Sequence, residues 1–352
     1  MERSNRTPRV PPEAATLTPP TAVEGPGAPS WWMLRARPRG IDQLLSRASR
    51  SASDLVQLAP GTLQAHLFRL AGPAADVDGG RVNLPLRSVG ATAAEKVTVT
   101  FVLSCPGRGV MAGRDVATGD ALIWPANATY DGIAPGGYRW ATVILPRSTL
   151  YDVVRARSIS DDRPPTLCIV RMPSSIRSTV RGLLREMRAW DEPGRKAIPD
   201  AVGEAWRDRW LGLSTWALRT SVPPPTHATS RANAVHVVRT TEAYFLARLA
   251  AVVYVEDVCR EVGVAERTLG AAFRAVLGTS PMRYLETLRA HAVFRDLRRT
   301  GADAPGTVHE AEARAGVTHG ARFARRYRSV FGENPTDTFR GARASIASVE
   351  GS

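Results

Sequence analysis

Between residues 316 and 335 the chain reads GVTHGARFARRYRSVFGENP. Four arginines, Arg322, Arg325, Arg326 and Arg328, sit among Phe323, Tyr327 and Phe331, which recur every fourth position. That spacing gathers the rings on one helical face and fans the guanidinium groups around the rest. A guanidinium is permanently charged and presents a planar fork of donors. Seated by an aromatic face, such a helix can grip phosphate oxygens, and its first turn can reach base edges. The chemistry on offer is recognition of a polyanion.

An earlier stretch has the same grammar. VEDVCREVGVAERTLGAAFRAVLGTSP (255–281) and VHEAEARAGVTHGARFARRYRSVFGENP (308–335) align on Gly263 and Gly316. Val264 then meets Val317, Leu269 roughly meets Phe323, Phe273 meets Tyr327, and Leu277-Gly278 meets Phe331-Gly332. The second stretch needs one extra residue in the first turn of its later helix. Pro281 and Pro335 each stand three residues after the closing glycine. Each unit reads as helix, glycine turn, helix: 255–262 with 266–277, and 307–315 with a helix capped by Thr318 and ending near Phe331. The glycine allows a left-handed backbone where the helices cross sharply. A longer helix from Pro281 to about Arg299, then a loop at 300–306, joins the units.

Residues 232–340 resemble the AraC-type transcription regulators. The resemblance rests on ValGluAspValCys (255–259), GlyValAlaGluArgThrLeu (263–269), AlaPheArg (272–274), LeuGlyThrSerPro (277–281), TyrLeuGluThrLeuArg (284–289), ArgPheAlaArgArgTyrArg (322–328) and PheGlyGluAsnPro (331–335). It implies two helix-turn-helix units joined by a long helix, their second helices entering successive major-groove segments on one side of duplex DNA. Carried over by position, Arg267, Gly270 and Ala271 face the bases in the first unit, and Gly320, Ala321, Arg322 and Arg325 in the second. The expected DNA-contacting set is Glu266, Arg267, Thr268, Gly270, His319, Gly320, Arg322, Arg325 and Arg326.

Departures from the family pattern shape this expectation. Gly270 and Ala271 stand where long polar side chains are common, which leaves Arg267 as the long donor of the first unit. Ala265 replaces a capping Ser, a loss of about 1 kcal/mol. Glu312 falls where a small side chain packs, so the helix turns or the carboxylate finds an arginine. The second unit is expected to dominate readout. Arg289 reads first as a structural residue, and Tyr284, Leu288, Ala292 and Leu297 have core spacing.

Other elements must position these helices. Residues 1–30 are rich in Pro, Thr and Ala and read as a disordered tail. The segment 31–170 holds short strands with Gly-rich turns: 61–70, 96–103, 108–115, 120–124 and one ending at Pro146. It is similar to the cupin-like front domain of ethanolamine-operon regulators, which implies small-molecule sensing or dimerisation. Ile176, Val180, Leu183, Leu184, Met187 and Trp190 share one helical face, with Ser174 or Ser175 as cap; Val202, Trp206, Trp210, Leu213 and Ala217 share another. Together they read as a helical hairpin at 171–220, its apolar faces serving either the core or a subunit interface. A Pro-rich linker (221–231), the DNA-binding segment (232–343) and a tail (344–352) complete the chain. The expected class is α+β multidomain: a cupin-like barrel and hairpin, then an all-α domain with two helix-turn-helix units.

Charge agrees without deciding. The formal net charge is +14, and Lys96 and Lys196 are the only lysines. A GC-rich genome and a polyanionic partner both favour arginine. Cys105, Cys168 and Cys259 form no CxxC pair, which argues against a zinc site or disulfide framework. His66 alone, in a β-rich segment, supplies no metal cluster, and Cys105 has no nearby His or second Cys to support alkyl transfer. No catalytic residue, metal or cofactor is expected. Expected partners are double-stranded DNA, a small-molecule effector, a second copy of the chain and RNA polymerase, in the cytoplasm at the nucleoid and away from membranes. The competing reading is a β-barrel interaction protein whose DNA-binding domain has degraded.

Overall fold

The computed structural model describes residues 30–41, 43–44, 53–72, 75–146, 167–190, 194–221, 230–303, 307–317 and 320–350. The expected tail at 1–30 lies almost wholly outside these residues, as do most of the Pro-rich linker, Thr318 and His319.

Thirteen strands occur among the described residues. They are β1 (Trp31–Ala36), β2 (Ser53–Gln57), β3 (Ala65–Ala71), β4 (Asp76–Val82), β5 (Leu86–Ala91), β6 (Lys96–Ser104) and β7 (Gly109–Met111). There follow β8 (Arg114–Val116), β9 (Asp120–Trp124), β10 (Thr129–Ala134), β11 (Arg139–Pro146), β12 (Cys168–Arg171) and β13 (Gly194–Ile198). All pairings are antiparallel. They build an eight-stranded sheet in the order β12-β9-β6-β11-β4-β3-β1-β13 and a five-stranded sheet in the order β2-β5-β10-β7-β8. The expected barrel is therefore two facing sheets, cupin-like in arrangement, whose hydrogen-bond ladders do not close on one another.

Strand alternation assigns each face. In β6, Val97, Val99 and Phe101 point to one core, while Lys96, Thr98 and Thr100 line the space between the sheets. The first core is completed by two helices, α1 (Ser174–Met187) and α2 (Asp200–Thr220). Val180, Leu183 and Met187 of α1 and Trp206, Trp210, Leu213 and Ala217 of α2 are buried there. The aromatics that also suited a subunit interface are thus spent on this chain's own sheet.

Two details of the hairpin differ from expectation. Strand β13 lies between its helices and pairs with β1 from Trp31↔Ile198 to Arg35↔Gly194, so α1 and α2 are not joined by a bare turn. The cap of α1 is Pro173, with no side-chain bond from Ser174 or Ser175.

The remaining helices are α3 (Ser230–Ala247), α4 (Val255–Val262), α5 (Glu266–Leu277), α6 (Pro281–Asp303), α7 (Val308–Arg314), α8 (Gly320–Phe331) and α9 (Pro335–Glu350). Helix α6 runs to Asp303, through half of the loop expected at 300–306, and α9 occupies most of the expected tail. These helices pack on the outer face of the five-stranded sheet: Val56, Val110 and Ile133 of the sheet share a core with Val238, Phe245 and Phe273. The sequence of layers is helices, sheet, cavity, sheet, helices. No described helix is long and apolar enough to cross a membrane.

Candidate nucleic-acid interface

The first unit is α4, Gly263 and α5. Gly263 adopts φ 73° and its N–H donates to the Cys259 carbonyl at 2.9 Å, closing α4 in the left-handed conformation that glycine tolerates best. Leu269 and Phe273 seat α5, and Phe273 meets Phe245 and Tyr284 with ring centroids 6.4 and 5.9 Å apart. On the outer side Glu266, Arg267 and Thr268 are exposed and Gly270 is half-buried. Ala265 caps α5 without a side-chain bond. A Cβ at Gly270 would lie 3.3 Å from the Arg274 guanidinium. Arg274, one turn later, therefore covers the ground a long side chain at 270 would occupy. Its i+4 spacing was visible in the sequence and its role was not drawn from it.

The second unit is α7, Gly316 and α8. Thr307 and Glu310 form a reciprocal capping box at the start of α7, a T-x-x-E signal legible in the sequence. Gly316 has φ 69°, and a Cβ there would stand 2.3 Å from the Leu249 carbonyl oxygen. Phe323, Tyr327 and Val330 are buried and Phe331 is half-buried; Phe331 stacks on Phe294 at 4.4 Å. Gly320, Ala321, Arg322, Arg325 and Arg328 are exposed. Arg322 pairs with Glu286 at 3.1 Å, and its side chain is 73% exposed. An exposed pair of this kind is worth at most about 1 kcal/mol, so a phosphate can displace the carboxylate.

Arg326 is placed differently from its neighbours. It is half-buried and donates to Thr287 Oγ1 at 2.8 Å, while its buried Nε has no partner. Burial first, then the Arg283 charge, holds its guanidinium below the ordinary value. It props α8 on α6 and does not splay outward. Glu312 makes no ion pair among the described residues; Ala311 takes the core position, and burial pushes the Glu312 carboxyl up. Neither expected accommodation is needed: α7 buries Ala311 as α4 buries Val258, and Glu312 is half-buried like its counterpart Cys259.

Helix α6 holds the units together. Arg289 donates from Nε to the Leu249 carbonyl at 3.1 Å and from its terminal nitrogen to the Ala251 carbonyl at 2.7 Å. Gly316 presses on the same loop. The backbone entering α4 is thus pinned by α6 from one side and by the turn of the second unit from the other. Arg289 is structural.

The front sheets enclose a cavity of ≈ 360 Å³. Apolar and aromatic side chains such as Leu55, Leu86, Met111, Trp124 and Tyr130 line one part, and Thr98, Thr100, Asp76, Asp78, Arg69 and Lys96 another. Leu86 and Ser88 of β5 and Tyr130 of β10 face the cavity, so Arg87 and Asp131 face the helices. Arg87, 1% exposed, bonds Asp131 of the front sheet (3.0 Å to Oδ2) and Glu242 of α3 (2.6 Å to Oε2). The Tyr284 hydroxyl also donates to Glu242. Burial opposes the Arg87 charge, but Asp131 and Glu242 outweigh it and hold the guanidinium above its ordinary value. Nearby, the Gln57 N–H donates to His291 Nε2 at 3.0 Å and its side-chain amide to the Val330 carbonyl at 2.7 Å. Burial, then the Arg295 charge, pushes His291 down to about 3, and accepting the Gln57 proton fits a neutral ring.

Cys105 is buried, and its thiol donates to the Val116 carbonyl at 3.4 Å. Burial pushes its pKa up, the wrong direction for a nucleophile.

Residues 258–341 match a family described as "Helix-turn-helix domain". A probable thc operon regulatory protein of Rhodococcus erythropolis is 36% identical over 104 residues, 30% of this chain and 31% of that protein. A solved probable AraC family transcriptional regulator from Rhodopseudomonas palustris is 33% identical over 30% of this chain and 97% of its own, with TM-score 0.29. The AraC-like transcriptional activator CuxR is 12% identical over 74% of this chain and 91% of its own, with TM-score 0.35. All three are described as regulators. Residues 258–341 are a helix-turn-helix domain of the AraC type.

Proposed function

We propose that this chain is a sequence-specific regulator of transcription that binds duplex DNA through α5 and α8 and answers to a small molecule held between its front sheets. The observation that carries the reading is the five-stranded sheet. One face lines the cavity, and the other bears Arg87, Val110 and Ile133 against the DNA-binding helices. A ligand that shifts this wall alters the seat of both units, because packed interfaces respond as units and not by gradual deformation. The exposed Arg267, Arg274, Arg322, Arg325 and Arg328 supply phosphate and base contacts. Glu266, Thr268, Gly270, His319 and Gly320 complete the proposed DNA-facing set, with Arg326 as support. The protein works in the cytoplasm, at the nucleoid, as a homodimer that contacts RNA polymerase.

Retention of fragmented genomic duplex by the full chain tests this. The expected result is a recurrent motif whose two parts lie about one helical turn, ~34 Å, apart. Retention without sequence preference contradicts it.

A further inference from the structure

A second cluster of arginines lies far from the recognition helices, on the side of the eight-stranded sheet that carries α1. Arg181 and Arg185 of α1 and Arg188, which caps its C-terminus, follow at i, i+4 and i+7 and form one stripe beside the buried Val180, Leu183 and Met187. The stripe faces a cleft whose opposite bank is Arg139 of β11 and Arg81 of β4, register partners in neighbouring strands. Two adjoining hollows of ≈ 360 and ≈ 280 Å³ share Leu103, Arg139, Leu184 and Arg188. No Asp or Glu lines either hollow among the described residues.

That absence is unusual in this molecule. Arg69 pairs with Asp76, Arg87 with Asp131 and Glu242, Arg171 with Asp120, and Arg314 with Asp296. On α1 itself, Glu186 bonds Arg209 of α2. Arg81 is hydrogen-bonded to His66 at 3.1 Å, not to a carboxylate. Burial, then the charges of Arg188, Arg81 and Arg181, holds the Arg139 guanidinium below its ordinary value. Like charges converging on a partly desolvated cleft repel, and an anion between them removes that repulsion.

We propose that this cleft binds a small molecule bearing two or more phosphate groups. Guanidinium forks on both banks suit bidentate contacts to separate phosphates. Leu103, Leu184 and Phe68 with Trp140 give the floor an apolar and aromatic surface for the rest of the molecule. Phe68 and Trp140 also line the interior cavity, so the occupied cleft would abut it. The site is independent of the DNA-binding reading, because its arginines lie on the other sheet from the helices that carry α5 and α8.

Calorimetric titration of the full chain with pyrophosphate and with ATP tests the proposal. One site per chain is expected for either probe. The doubly substituted R181E/R185E protein should lose at least tenfold in affinity, and R322A should lose none. Both arginines of the double variant are exposed; an unchanged melting temperature without ligand confirms that it folds. Pyrophosphate should raise the melting temperature of the wild type and leave that of the variant unmoved. Absence of saturable binding, equal affinity in R181E/R185E, or loss of binding in R322A would overturn the assignment. So would displacement of the probe by duplex DNA, since the cleft arginines would then serve the nucleic acid backbone.

Discussion

The two helix-turn-helix units meet the front half by different polar contacts. The first shares an apolar core with Val56, Val110 and Ile133 and sits beside the buried Arg87, Asp131 and Glu242 cluster. The second also shares an apolar cluster with the front half, Phe323 and Tyr327 in one core with Leu63, Ala65 and Leu86, and adds hydrogen bonds: the Gln57 amide to the Val330 carbonyl, the Gly61 N–H to the Ser329 carbonyl at 2.8 Å, and Gln57 to His291 beneath Phe331. The outer surfaces differ in the opposite sense. The first unit offers Arg267 and Arg274, the second Arg322, Arg325 and Arg328. Both units are thus seated on apolar cores; the sparser one adds a buried charge cluster, and the one with more exposed cations adds a set of hydrogen bonds.

The largest effect should come from the charge cluster. Arg87→Met strands Asp131 and Glu242 without their counter-charge, and breaking such a buried pair costs about 3–5 kcal/mol. Denaturant unfolding should show the loss, and R87M/E242Q should recover part of it. An R87M protein as stable as wild type would remove the clamp from the account.

Next in size is the acid sensitivity of the second unit's contact. His291 is held at about 3, below its unfolded value near 6.5. The unfolded chain therefore binds the extra proton between these values, and stability present near neutrality is lost as pH falls. From pH 7 to pH 5 the loss is about 2 kcal/mol. Arg295 and Arg326 add repulsion when the ring charges. Stability curves of wild type and H291Q should differ by this component; parallel curves would show that the ring does not titrate as described.

The DNA-facing side gives smaller differences. Arg322→Ala should weaken duplex binding by about 1–3 kcal/mol, in the range of a bidentate base contact. Arg267→Ala should cost less, with Arg274 beside it. Fluorescence anisotropy on the selected site checks the ranking, and the reverse order would assign the lead to the first unit. Smallest of all, Ala265→Ser should restore the missing cap of α5 and add about 1 kcal/mol to unfolding free energy.

Much of the helical half was legible because glycine and proline punctuate it. Gly263, Gly278, Gly316 and Gly332 all adopt positive φ, and Pro281 and Pro335 open helices. The strands of the front half were legible wherever valine alternated with threonine, as in β6. Their pairing was not, because antiparallel partners such as β1 and β13 lie far apart in sequence and a short polar run like GRKAI carries no apolar period. The half-burial of Arg326 was hidden for a similar reason. Periodicity places it on the flank of α8, and only the crossing with α6 brings Thr287 beneath it. The cluster around Arg87 joins residues 87, 131 and 242, a juxtaposition that no local pattern encodes.

The most direct test of the central claim is the salt dependence of duplex DNA binding by the full chain. With the five exposed arginines Arg267, Arg274, Arg322, Arg325 and Arg328 each neutralising a phosphate, log affinity should fall with log salt at a slope of about −4.5. A slope near zero would contradict the account and leave these helices to protein contacts alone.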